Sequence, residues 1–227
     1  RAEWPQADYI VGNPPFIGAS RMRDALGDGY TESLRKAWKG DVPESADFVM
    51  FWWCKAAAET AQGRCKRFGF ITTNSIHQTF NRRVIEPFLA DTKKPLHLAY
   101  AIPDHPWIDS ADGAAVRIAM TVAAPGKSEG IVEKVTAERP MEHGENEVTL
   151  LRNEGLIAPN LQLGSDLTTC GPLVANSKLS CPGVKLHGSG FIVTNEEARQ
   201  LGYGTIEGLD IHLKGYRNGK DLTNRPR

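Results

Sequence analysis

Two consecutive prolines, Pro14 and Pro15, stand just behind the apolar run Tyr9-Ile10-Val11. Proline has no backbone N–H and holds φ near −65°, so neither a sheet ladder nor a helix continues through the pair. The stretch "DYIVGNPPFIG" therefore reads as a short buried strand that ends at Gly12 and turns a stiff corner. That corner presents Asn13 on one side and Phe16 on the other.

The segments that follow fix the fold class. Arg21 to Pro43 is polar, with a helix expected over "YTESLRKAWKG". "DFVMFWWCKAAAET" is apolar nearly all round and predicts a buried helix ending near Gly63. Ser45 reads as its N-cap, with Asp47 in the first turn favouring the helix dipole. "FGFITT" is a strand, and Asn74 or Ser75 is expected to cap a second helix, "HQTFNRRVIEPFLA", which Pro87 kinks or ends. A strand "LHLAYAI", a loop "PDHPWIDSADG" and a strand "AAVRIAMTVAA" close the series.

This alternation predicts an α/β fold with a mostly parallel sheet covered on both faces. The last two strands have no room for a crossover helix between them, so they should be antiparallel neighbours. Ligands of open α/β sheets bind outside the carboxyl ends of the strands. The corners "NPPF", "TTNS" and "PDHPW" fall there and outline one candidate site.

Past Pro125 the sequence becomes charged and less periodic, then rich in Gly, Ser, Thr and Asn. The expected boundary lies near residue 126, with one module over 1–126 and a more irregular α+β module over 127–227. Lys plus Arg is 27 and Asp plus Glu is 27, so any nucleic-acid surface must be local. The four cysteines show no CxxC spacing, which argues against a metal centre. No apolar run approaches the roughly 20 residues that span a bilayer, and the first residues lack a signal peptide's pattern. The expectation is a soluble, cytoplasmic protein without a membrane partner. Arg1 in place of a methionine and the ending "NRPR" read as an excised piece of a longer chain.

The corner has a chemistry of its own. An asparagine amide donates and accepts hydrogen bonds without charge, and a proline carbonyl is a free acceptor. Two acceptors converging on one amino group would draw its protons and turn its lone pair outward. Phe16 adds a flat apolar face for an aromatic ring. The set describes a clamp for a ring bearing an exocyclic amine. Asn-Pro is also a common turn opener, so an exit loop is the plain alternative.

"DYIVGNPPF" resembles the catalytic motif of the amino-group DNA methyltransferases that modify adenine. "SADFVMFWWCKAA", "RFGFITTNSI" and "AIPDHPWID…GAAVRIAMTV" are similar to the next blocks of the methylase domain in single-chain restriction-modification enzymes of the type IIG/IIL kind. "GSDLTTCGPLVANSKLSCPGVKLHGSGFIVT" and "YRNGKDLTNRPR" look like the start of their target-recognition region. The resemblance implies a partial Rossmann-like, S-adenosylmethionine-dependent methyltransferase sheet with an antiparallel last strand, over residues 1–126. A linker and the start of a target-recognition domain would occupy 127–227. It implies a bacterial or archaeal enzyme that binds double-stranded DNA, needs no metal for methyl transfer, and methylates the exocyclic amine of a flipped adenine. Asn13, Pro14, Pro15 and Phe16 would be catalytic, and Asn13 and Phe48 would border the cofactor. The family's glycine-rich cofactor loop lies upstream of this motif, and neither "GYG" nor "GSG" follows a strand and opens a helix as such a loop must. The piece by itself is therefore expected to be inactive.

Other residues divide between packing and contact. Phe48, Phe51, Trp52 and Trp53 are core by their helical spacing. His105 and Trp107 are base or DNA contacts on the third corner, or members of a plain proline-bounded turn. Arg82 and Arg83 form a solvated helix face or touch phosphate. Lys214, Arg217, Lys220, Arg225 and Arg227 form a basic run that is either solvated or a phosphate-contacting strip. Two rivals remain: a methyltransferase acting on RNA or on protein glutamine, and a DNA-recognition module without catalysis.

Overall fold

A computed structural model of the chain describes residues 1–107, 116–140, 146–164, 173–176, 179 and 189–216. Six strands form one sheet: β1 (Tyr9–Gly12), β2 (Arg67–Thr73), β3 (Leu96–Trp107), β4 (Val116–Pro125), β5 (Gly130–Pro140) and β6 (Asn146–Gly155), in the spatial order β1-β2-β4-β3-β5-β6. β1 pairs with β2 and β3 with β5 in parallel, and the other three pairings are antiparallel. β1, β2, β3 and β5 thus run one way, and β4 and β6 the other. The expected antiparallel pairing of β3 with β4 is present. β4, the antiparallel strand, lies between β2 and β3.

The helices are α1 (Met22–Leu26), α2 (Asp28–Ala37), α3 (Val49–Ala61) and α4 (Thr79–Ala90) in the sheet-bearing part. α3 is the apolar helix of the sequence and is buried at Val49, Met50, Phe51, Trp53, Cys54, Ala56 and Ala57. Gly63, at φ 77°, takes the left-handed conformation just past its end. Trp53 is fully buried at the centre. Its ring lies 5.1 Å from Phe68 of β2 and 6.0 Å from Phe88 of α4, and its Nε1 donates to Thr121 Oγ1 of β4 at 3.3 Å. One side chain therefore joins both crossover helices to the sheet. The indole N–H keeps a partner, as a buried polar atom must.

The opposite face differs from expectation. Ile10 packs on the core while its neighbours Tyr9 and Val11 remain 63% and 83% exposed. Among the described residues that face of β1 is uncovered.

Several local expectations are corrected. Ser45 does not cap α3, which begins at Val49 with no side-chain cap. Asn74 and Ser75 lie in a 3₁₀ turn (Asn74–His77), and α4 starts later at Thr79. Pro87 lies inside α4, which runs on to Ala90. "PDHPW" is not a loop but the end of β3. A register shift between Ile102 and His105 takes Pro103 out of the ladder, and among the described residues only β4 pairs with this end of β3. Proline is tolerated in a sheet at such a bulge and free edge.

The sheet continues past residue 126 through β5 and β6. By compactness the chain divides into two units, Arg1–Cys170 and Gly171–Arg227. In the second, α5 (Asn195–Gln200) opens with a capping box between Thr194 and Glu197, and α6 (Leu209–His212) follows. Among the described residues no helix is long and apolar enough to cross a membrane.

Two predictions concern stability. A Cβ on Gly130 would fall on the Leu98 carbonyl oxygen, with Ile157 Cδ1 2.9 Å away. Gly130→Ala should force β5 off β3 and lower the urea midpoint by an equivalent of about 1–3 kcal/mol; an unchanged midpoint would contradict this packing. Glu59, near the end of α3, is buried and paired with Arg64 and, at 2.8 Å, with Lys55. The hydrogen bond from Arg64 leads in lowering its pKa to about 2, against burial, which opposes ionisation. A carboxylate whose folded pKa is depressed stabilises the protein above its unfolded pKa, and that stability is lost as pH falls toward 2. Denaturant titrations from pH 5 to pH 2 should show this loss, on the order of 2 kcal/mol after allowance for the exposure of Arg64. Glu59→Gln should flatten it.

Candidate active site

β1, β2 and β3 run the same way, so their carboxyl ends share one edge of the sheet. The first corner leaves β1 there. Asn13 and Pro15 are exposed, Pro14 is buried, and Phe16 is half-buried. Among the described residues no hydrogen bond engages the Asn13 side chain. The prolines fix the backbone torsions, but the returning segment needs outside partners. It finds them just before α3. Phe48 N–H donates to the Ile17 carbonyl at 2.9 Å, and Ala19 N–H donates to Asp47 Oδ1 at 3.0 Å.

Asp47 reaches in two further directions. Its Oδ2 accepts from Ser75 Oγ at 2.6 Å and from Asn81 Nδ2 at 2.8 Å, and its backbone N–H donates to Asn81 Oδ1 at 2.8 Å. Ser75 belongs to the second corner and Asn81 to α4. Asn81 Nδ2 also donates to the Ser75 carbonyl at 3.0 Å, and the Thr73 and Ser75 hydroxyls lie 2.6 Å apart. The first and second corners are thereby joined through one carboxylate. Local pattern assigns Asp47 only a helix-dipole role, because its three side-chain partners lie 28 and 34 residues away.

The second and third corners are also joined. Asn74 Nδ2 donates to Asp104 Oδ1 at 3.1 Å, so Asn74 holds a neighbouring corner and caps no helix with its side chain. Arg117 Nε donates to both Asp104 oxygens at 2.7 and 2.8 Å, and its Nη2 donates to Glu138 at 2.8 Å. Burial works against the Asp104 charge, but the bonds from Arg117 and Asn74 outweigh it and hold its carboxyl below the usual range. The same pairing raises the Arg117 pKa. Asp104, Arg117 and Asn81 were not singled out in the sequence. Asp104 lies within "PDHPW", which does point at this corner.

The other expected site residues fall into three groups. His105 and Trp107 stand on the last residues of β3, His105 half-buried and Trp107 37% exposed. His105 Nδ1 lies 2.7 Å from the Pro106 carbonyl oxygen. Phe48 is only 4% exposed, with its ring centroid 4.5 Å from that of Trp52 and 6.4 Å from that of Tyr30. Its backbone touches the corner while its ring is core. Lys214 is exposed in the second unit, and Arg217 and Lys220 lie outside the described residues.

The edge thus presents an open amide on a proline corner, with half-buried Phe16 three residues on and a hydrogen-bonded network behind it. It can hold an uncharged polar group beside a flat ring.

A family model, the MmeI DNA-methyltransferase domain, matches residues 2–134. Among solved structures, the chain is similar to the type IIL restriction-modification enzyme MmeI, determined in complex with DNA. The identity is 25% over 85% of this chain and 25% of that chain, with a TM-score of 0.58. A modification subunit assigned to a type I restriction enzyme from Vibrio vulnificus YJ016 matches at 15% identity over 61% of this chain and 27% of that one, with a TM-score of 0.42. No curated protein sequence matches. The chain spans about a quarter of the length of the MmeI chain. By the model over residues 2–134, this chain belongs to the MmeI DNA-methyltransferase domain family.

Proposed function

We propose that the chain is part of a site-specific DNA adenine methyltransferase of a restriction-modification system, working in a bacterial or archaeal cytoplasm. The observation that carries the reading is the first corner. Asn13 stands exposed, with no side-chain partner among the described residues, on a backbone fixed by two prolines, at the edge where three parallel strands end. A flipped adenine would place its exocyclic amine between the Asn13 side-chain oxygen and the Pro14 carbonyl, with its ring on Phe16. Extrusion costs a few kcal/mol, which stacking and edge hydrogen bonds offset. S-adenosylmethionine, when bound, supplies a sulfonium-borne methyl group as the electrophile.

What this chain contributes is position. The two acceptors draw the amine protons and aim its lone pair. With the donor bound, the adenine nitrogen would take its methyl group and release one proton to solvent, while Asn13 and the Pro14 carbonyl would hold the amine in place. Asn13 fits a place beside the donor because its amide is open. Phe48 offers only its edge of the core, since its ring is enclosed by Tyr30, Phe51 and Trp52. Trp107 and His105 on the third corner would meet the base or the duplex. Lys214, Arg217 and Lys220 would contact phosphates from a target-recognition segment within residues 127–227.

The test is methyl transfer from labelled S-adenosylmethionine to unmodified duplex DNA by the full-length chain and its Asn13→Ala variant. Label should be recovered in adenine, and the variant should lose about 10²–10³-fold in rate while binding DNA within about threefold of the unaltered chain. Label recovered in RNA or protein but not DNA would replace this reading with the corresponding rival. DNA binding without transfer would leave a recognition module.

A further inference from the structure

We propose that Asp47 is a positioning residue for the Asn13 corner, tying it to the Ser75 corner so that the amine is held at a fixed place along the sheet edge. The inference rests on the methyl-transfer reading of that edge. It goes beyond that reading by giving rate control to a residue that touches neither base nor donor.

The geometry is specific. A segment returning from a proline corner has no ladder to set its path, and here its path is set at two adjacent points. Ala19 N–H meets Asp47 Oδ1 at 3.0 Å, and Ile17 C=O meets Phe48 N–H at 2.9 Å. The second oxygen of Asp47 is taken by Ser75 and by Asn81, at 2.6 and 2.8 Å. No cation joins this set among the described contacts, so the carboxylate is held by neutral donors whose directions are fixed. Charge-assisted bonds of this kind are short and strong. Replacing one carboxylate oxygen by an amide nitrogen turns an acceptor into a donor facing a donor. Either the Ala19 contact or the Ser75–Asn81 contact must then open.

A shift of about 1 Å at a reacting group can cost roughly 10²-fold in rate. A loosened corner should therefore slow the chemical step while leaving binding nearly intact. That pattern separates positioning from mere support of the fold.

The experiment uses the full-length chain and Asp47→Asn, Ser75→Ala and the double variant. The duplex carries the target sequence mapped with the unaltered chain. With protein in excess, the single-turnover methyl-transfer constant does not depend on the fraction of protein that is folded. It should fall at least about tenfold in Asp47→Asn and several-fold in Ser75→Ala. The double variant should fall no further than Asp47→Asn, because the two act as one unit. DNA affinity should stay within about threefold. Without donor, 2-aminopurine at the target position should fluoresce more strongly in the complex of Asp47→Asn, since a looser corner stacks the base less closely on Phe16. If Asp47→Asn does not fold, Ser75→Ala alone decides by the same rate and fluorescence.

A single-turnover constant unchanged within threefold would overturn the inference and leave the methyl-transfer reading standing. Losses confined to DNA affinity would do the same. No transfer by the unaltered chain would overturn that reading and the inference with it.

Discussion

The carboxylate of Asp47 is the contact through which the core and the corners are made one body. An ionised carboxylate offers about four acceptor sites, and Asp47 uses three of them on a backbone amide, a hydroxyl and a side-chain amide from three different elements. It stands two residues before α3, whose position is fixed by fully buried side chains such as Met50 and Trp53. A loop anchored to such a residue inherits the rigidity of the core. The same loop anchored to solvent would sample many conformations, because its backbone groups could exchange partners with water.

The sheet order determines how far the remaining corners must reach. β4 lies between β2 and β3, so the second and third corners are separated by two inter-strand spacings, about 9–10 Å. That span is too wide for one hydrogen bond between backbones. Asn74 and Asp104 extend toward each other across it, and Arg117 on the intervening strand supplies the positive charge that keeps Asp104 ionised. The antiparallel strand is therefore both the spacer between corners and the source of the cation that bridges them. A fully parallel arrangement would bring the corners closer, but it would not place Arg117 between them.

What could be read from the sequence was what depends on neighbours in the chain. The apolar runs Tyr9–Val11 and Phe68–Thr73, the all-apolar face of α3, and the β3–β4 pairing followed from local pattern. So did the convergence of three corners on one edge. The errors arose where packing overrode local preference. Prolines at 103 and 106 read as loop, yet a bulge and a strand end paired with β4 on one side accommodate them in β3. Asn74 and Ser75 read as helix caps, yet their side chains serve Asp104 and Asp47. Partners some 30 residues distant leave no periodic trace, so Asp47 could be recognised only as an acidic residue in the first turn of the expected helix, which instead starts two residues after it.

Three asparagines on this edge differ in how their amides are used. Asn81 is 4% exposed, and both ends of its amide are used, the oxygen by the Asp47 amide and the nitrogen by Asp47 and Ser75. Asn74 spends its nitrogen on Asp104. Each is a bracket between segments, and each would leave a partner unpaired if shortened. Among the described residues the Asn13 side chain holds nothing, although its backbone is followed at once by two prolines and the segment beyond them is pinned by Asp47 and Phe48. The two prolines restrict the unfolded chain as well as the folded corner, but the open amide above them gains a partner only when another molecule meets it. On the proposed reading, the stiffness of the corner serves the chemistry at Asn13 by holding its amide in one place.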